Sequence, residues 1–224
     1  MNLFERFTKA SVWPAYAGFL MALFYAIFVR FYEAAGGKIG GGESQFKDPI
    51  VLQGFYMASY IAGVIILICG FILLALVKPW GKVIPANIPL IGGKQIHRLL
   101  ILIPTLVCTA FLLAHGMSGI ITKSLFLCGI ITIHFPNLIG DLRHMALWDL
   151  LFYEPWFVIM GILAGLTAAH YAQATGASPR TFRRGTVVYL LLIVLLTTLF
   201  VLAISRNSAN FDQGLFAQFN FFHK

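Results

Sequence analysis

Residues 141–157 read DLRHMALWDLLFYEPWF. They bring Asp141, Arg143, His144, Asp149 and Glu154 together with Trp148, Tyr153 and Trp156. Ionisable groups beside a membrane-embedded segment are costly and mark ligand, proton or partner sites. Histidine with carboxylates suits copper, zinc or non-haem iron. His115, His134, His144 and Asp141 are the candidate metal set, with Asp149 and Glu154 near them on the same side. A redox cofactor or a quinone would instead draw on His115, Asp149 and Glu154. No pair in this group has the i, i+4 spacing of a His-Glu-x-x-His motif.

Haem is a further candidate cofactor. His97 and His115 fall on one expected helix, and His144 and His170 flank the next. This gives an outer pair, His115 with His144, and an inner pair, His97 with His170. Two helices carrying two histidines each are what a di-haem membrane cytochrome uses. Eighteen residues separate His97 from His115, ~27 Å along a helix, which is too long for two ligands inside the hydrocarbon. The sequence requires no cofactor.

Structural roles account for the same residues. Trp148 and Trp156 fit an aromatic belt at a membrane interface. With Pro155 at the first helical position, Glu154 sits beside a helix start, where the dipole favours an anion. Alternatively the helix begins at Asp149 and kinks at Pro155, freeing carbonyls near Leu151. His115 beside Gly116 fits a buried histidine bonded to a neighbouring helix.

The elements that position these groups are membrane spans. The chain of 224 residues is 59% hydrophobic and 11% charged, with mean hydropathy +0.86. A soluble domain carries about 25% charged residues. Apolar runs of the ~20 residues that cross a bilayer recur along the chain. The fold class is therefore an all-α integral membrane bundle, with spans expected at about 12–31, 51–77, 97–121, 150–173 and 186–205. Residues 1–206 form the bundle. Tyr32-Glu33-Ala34-Ala35-Gly36 is a poor cleavage site, so the first span is expected to be retained. Segment 124–140 is apolar, short and broken by Pro136; it reads as a re-entrant or interfacial piece, or else as a sixth short span.

The net charge of +8 does not indicate nucleic acid, because the basic residues lie in short loops between spans. Nine of them fall on the N-terminal side and seven on the other, whereas Glu5 is the only acid of eight on the N-terminal side. This orients the chain N-in, C-out. The Gly-rich stretch GGKIGGGES lacks the Lys-Ser/Thr of a phosphate loop and reads as a connector. Three prolines between 79 and 89 make the loop 78–96 extended. Cys69, Cys108 and Cys128 sit in apolar sequence and read as buried free thiols. Gly161, Ala164, Gly165 and Ala168 form a small-residue strip that permits close helix contact. The tail 207–224 carries Phe211, Leu215, Phe216, Phe219 and Phe222 at near-helical spacing. Such a stripe lies on the bilayer surface or on a partner protein. Phe211, Phe216, Phe219 and Phe222, with Trp148 and Trp156, are the expected lipid or partner contacts.

Trp148-Asp149-Leu150-Leu151-Phe152-Tyr153-Glu154-Pro155-Trp156-Phe157 resembles the W-D-x-x-x-x-E-P-W-F motif of an uncharacterised family of small bacterial multi-pass membrane proteins. The resemblance covers roughly residues 80–175. It implies this topology and the bacterial inner membrane, and carries no substrate or catalytic residue.

Three functions are expected from these features. The first is a non-catalytic membrane subunit that scaffolds or stabilises a larger complex, with lipids and other membrane subunits as partners. The second is a membrane-bound redox or metal-binding enzyme using the outer His/Asp/Glu group. The third is a small transporter, disfavoured by the absence of internal repeats and by purely apolar span centres.

Overall fold

The computed structural model describes residues 3–40, 46, 48–84, 86–89, 92–133 and 140–207. Among them lie a short N-terminal helix, α1 (Leu3–Ala10), and five helices long and apolar enough to cross a membrane. These are α2 (Trp13–Ala34), α3 (Pro49–Val77), α4 (Arg98–Leu127), α5 (Leu142–Ala174) and α6 (Pro179–Asn207). The protein is a multi-pass helical membrane protein. The tail from 208 on, with Phe211, Phe216, Phe219 and Phe222, lies outside the described residues, as does His134.

Local chemistry sets the helix starts. Asp48 precedes Pro49, and its side chain accepts from the Ile50 N–H at 2.8 Å. Asp141 does the same for the Arg143 N–H at 2.8 Å. Both satisfy donors that a helix start leaves orphaned.

The helix α5 therefore begins at Leu142, earlier than either expected start. Pro155 is inside it, and Glu154 is a mid-helix residue instead of a cap. Proline lacks an N–H and its ring crowds the carbonyl four residues back. The chain accommodates this by widening into a π-helical segment at Asp149–Tyr153, just before the proline. A second π-helical segment, Ala26–Phe31, interrupts α2; nothing in its own sequence explains it. The third span also runs past its expected end: residues 124–127 complete α4 and do not open a re-entrant piece. Residues 134–139 of that segment are outside the described residues.

The helix α5 is central, packing on α4, α2 and α1. Its small strip works as expected. A Cβ at Gly161 would come within 2.7 Å of Leu113, so only glycine lets α4 approach this closely. Leu73, Leu76, Ala164 and Tyr171 form the buried apolar core between α3 and α5.

At the expected inner end, α1 is pinned under α5 and α6. The Arg183 guanidinium pairs with the buried Glu5 carboxylate. Gln173 Nε2 donates to Thr8 Oγ1 at 2.5 Å. His170 Nδ1 lies 2.9 Å from the Thr8 carbonyl oxygen, so that nitrogen carries the proton. The loop after α3 holds a turn at Pro79–Gly81 and an antiparallel bridge, Val83 to Gln95. The cysteines depart from expectation. They are free, but Cys108 and Cys128 are exposed on the bundle surface, because an apolar helix in a membrane has no need to hide its outward face.

Candidate functional site

The expected outer end of the bundle, where α2 turns to α3 and α4 to α5, holds a cavity of about 400 Å³. This is within the range of small-molecule sites. Its wall carries three cations, Arg30, Lys38 and Lys123, against three anions, Glu33, Asp149 and Glu154. Phe55, Tyr56, Phe126 and Phe157 supply aromatic surface, and His115 lies deepest along α4.

Two connected polar groups line this cavity. The first is a ladder. Lys123 Nζ lies 3.2 Å from Asp149 Oδ2 and donates to Glu154 Oε1 at 2.9 Å. Glu154 Oε2 then faces His115 Nε2 at 3.9 Å, within ionic reach but beyond a hydrogen bond. Lys123, Gly119 and His115 are four residues apart on α4, so they share one helix face. Gly119 is the notch in that face: a Cβ there would overlap the Glu154 carboxylate. At Gly116 a Cβ would approach the Glu154 carbonyl oxygen to 2.9 Å. Two glycines on α4 thus let a buried acid of α5 sit between a lysine and a histidine.

The second group centres on Glu33, 5% exposed. Its carboxylate accepts from Tyr153 OH at 2.9 Å, from Arg30 Nη1 at 3.1 Å and from Ser59 Oγ at 3.3 Å. Tyr153 and Asp149 stand on the π-helical segment of α5 and Arg30 on that of α2. Single π turns are frequent at functional sites. Here they turn both helices' polar residues toward one cavity.

Four buried side-chain atoms have no hydrogen-bond partner among the described residues: Tyr25 OH, Arg30 Nε, Trp156 Nε1 and Glu154 Oε2. Arg30 and Glu154 line the cavity, with Tyr25 packed next to Arg30 and Trp156 next to Tyr25. Tyr25 stacks on Trp156 with centroids 5.5 Å apart, and the Arg30 guanidinium lies 5.3 Å over the Tyr25 ring. Buried polar atoms are paired in the great majority of cases.

The expected site residues divide. His115, Asp149 and Glu154 come together as anticipated. His115 is stacked on Phe111 at 5.7 Å and meets the Phe157 edge at 4.9 Å. The described members of the metal set do not assemble, and His134 lies outside the described residues. Asp141 caps α5, His144 is exposed, and no group of three or more His, Cys, Asp or Glu among the described residues is placed to hold a metal ion. His97 is exposed at the start of α4, while His170 is bonded to α1. Trp148 covers Gly40, whose φ of +73° and contact with the indole both require glycine. Trp156 stacks on Phe24 and Tyr25 with its ring nitrogen enclosed.

Sequence reasoning missed Arg30, Glu33 and Lys123. The available signal was Arg30-x-x-Glu33 at the end of one apolar run and a single lysine at the end of another. Compared with known proteins, the chain matches no family model, no curated protein and no solved structure.

Proposed function

We propose that this membrane protein binds a small amphiphile in its outer cavity, the polar head among the charged groups and the apolar body along the aromatic wall. One observation carries this: the cavity wall gathers three acids and three cations, and two of its residues, Arg30 and Glu154, hold buried polar atoms without a hydrogen-bond partner among the described residues. Intramembrane ionisable groups facing a bundle interior mark such sites. A purely scaffolding bundle has no need of them. Redox chemistry on a quinone-like ligand is one use of such a site.

The test is thermal unfolding of the detergent-purified chain against a panel of amphiphiles that includes decylubiquinol, a fatty alcohol and a lysophospholipid. A ligand of the native state raises the midpoint with its concentration. The reading expects this for at least one head group in the wild type and not in Met145→Trp, whose larger side chain fills the cavity. Equal midpoints for both proteins across the panel contradict it.

A second reading, an accessory subunit of a larger membrane complex, is favoured by α6. Only 11% of its apolar stretch is buried, leaving Val188, Leu191, Val194 and Leu195 outward. Lipid or a partner helix fits that surface equally. Both readings suit the bacterial inner membrane, the setting implied by the motif resemblance.

A further inference from the structure

We infer that Asp149, Lys123, Glu154 and His115 form a proton route from the outer aqueous face to the membrane-depth end of the cavity. The successive gaps are 3.2, 2.9 and 3.9 Å. The route descends eight residues of α4, from Lys123 to His115, ~12 Å toward the bilayer centre. Between its two half-open ends, Asp149 at 38% and His115 at 44% side-chain exposure, lies Glu154, 4% exposed. Chains of acids and histidines inside a membrane protein serve as proton relays.

Inward of His115, α4 offers no free relay hydroxyl among its buried residues. The buried polar groups there are Thr109 and Thr105. Thr109 donates to the Thr105 carbonyl and Thr105 to the Ile101 carbonyl, which closes each hydroxyl on its own helix. The rings of Phe111 and Phe157 flank His115. A proton arriving at His115 therefore has the cavity as its destination. The route serves a bound head group with a titratable proton, and that clause rests on the ligand-binding reading.

The transfer balances without electron movement. A head-group O–H or N–H breaks as a bond forms to His115 Nε2 or Glu154 Oε2. Protonated Glu154 passes its proton to Lys123 as Lys123 gives one to Asp149, and Asp149 releases it to water. Other charged or titratable groups face the ladder: Arg30 and Glu33 from α2, Lys38 from the following loop, Tyr56 from α3 and Tyr153 from α5. Arg30 and Glu33 are paired with each other, so they bias the ladder without interrupting it.

The test is nitrogen-15 NMR of histidine-labelled full-length protein in nanodiscs, following exchange of the His115 ring proton with water. The route predicts that Asp149→Asn and Lys123→Met slow this exchange about tenfold or more, while the His170 ring, bonded to Thr8, reports an intact fold. Wild-type exchange in Asp149→Asn, with the His170 signal unchanged, overturns the route. Asp149 is partly exposed, so its variant decides the matter if Lys123→Met does not fold. Added decylubiquinol separates the two ideas. Slowed His115 exchange in the wild type supports ligand service. Unchanged exchange counts against the ligand reading for this probe and leaves the route to the variants.

Discussion

The ammonium of Lys123 donates to the Glu154 carboxylate across 2.9 Å, tying together residues 31 positions apart in the chain. This bond fixes α4 against α5 at the depth where Gly116 and Gly119 let the helices close. It also leaves one oxygen of Glu154 free toward His115.

Replacing Lys123 with methionine strands a buried carboxylate. Loss of one partner of a buried pair costs about 3 kcal/mol. Lys123→Met should lower the unfolding midpoint in detergent, and the double variant Lys123→Met/Glu154→Gln should recover part of the loss. A double variant no better than the single would show that the charge pair is not the cause.

Glycine substitutions separate the notch from ordinary helix surface. Gly119→Ala puts a methyl into the Glu154 carboxylate, so it should displace that acid and cost about 2 kcal/mol or more. Gly54→Ala in α3 meets nothing within 4 Å and should be neutral or stabilising by up to ~1 kcal/mol. Thermal unfolding of the two variants side by side checks this. Equal effects would contradict the packing assigned to Gly119.

Much of the fold was legible in the sequence, because a lipid-facing helix needs an unbroken apolar run. All five spans follow from that need alone. The ends were less legible. The helix α4 continues through Thr122–Leu127 and α5 opens with Leu142–Trp148, where polar and aromatic residues at a membrane interface carry no hydropathy signal. Pro155 misled because a proline favours a helix start, whereas here a π turn absorbs it. The site was half visible. His115, Asp149 and Glu154 stood out as charges near apolar sequence. Arg30, Glu33 and Lys123 did not, because their partners lie on other helices and such pairings leave no trace in spacing.

Tyr153→Phe removes one of three donors to Glu33 and no other bond of that acid. A hydrogen bond to a charged group contributes about 2 kcal/mol. The variant should unfold at a lower midpoint, while Tyr56→Phe, on the cavity wall without a bond to Glu33, should not. Matching midpoints for the two would remove Tyr153 from the network.

The clamp on α1 should act independently of the cavity. Arg183→Ala removes the guanidinium paired with Glu5 and should speed proteolysis between α1 and α2, at Ser11 and Val12. Ligand-induced stabilisation should persist in this variant. Protection equal to wild type would mean that the other contacts of α1 hold it without Arg183.

The proposed function requires a ligand in the cavity. Native mass spectrometry of the chain released from its own membrane tests it most directly. The account predicts one small-molecule adduct per chain, retained at low collision energy and lost in Met145→Trp. A bare chain, or one whose added mass consists only of further protein subunits, would contradict it.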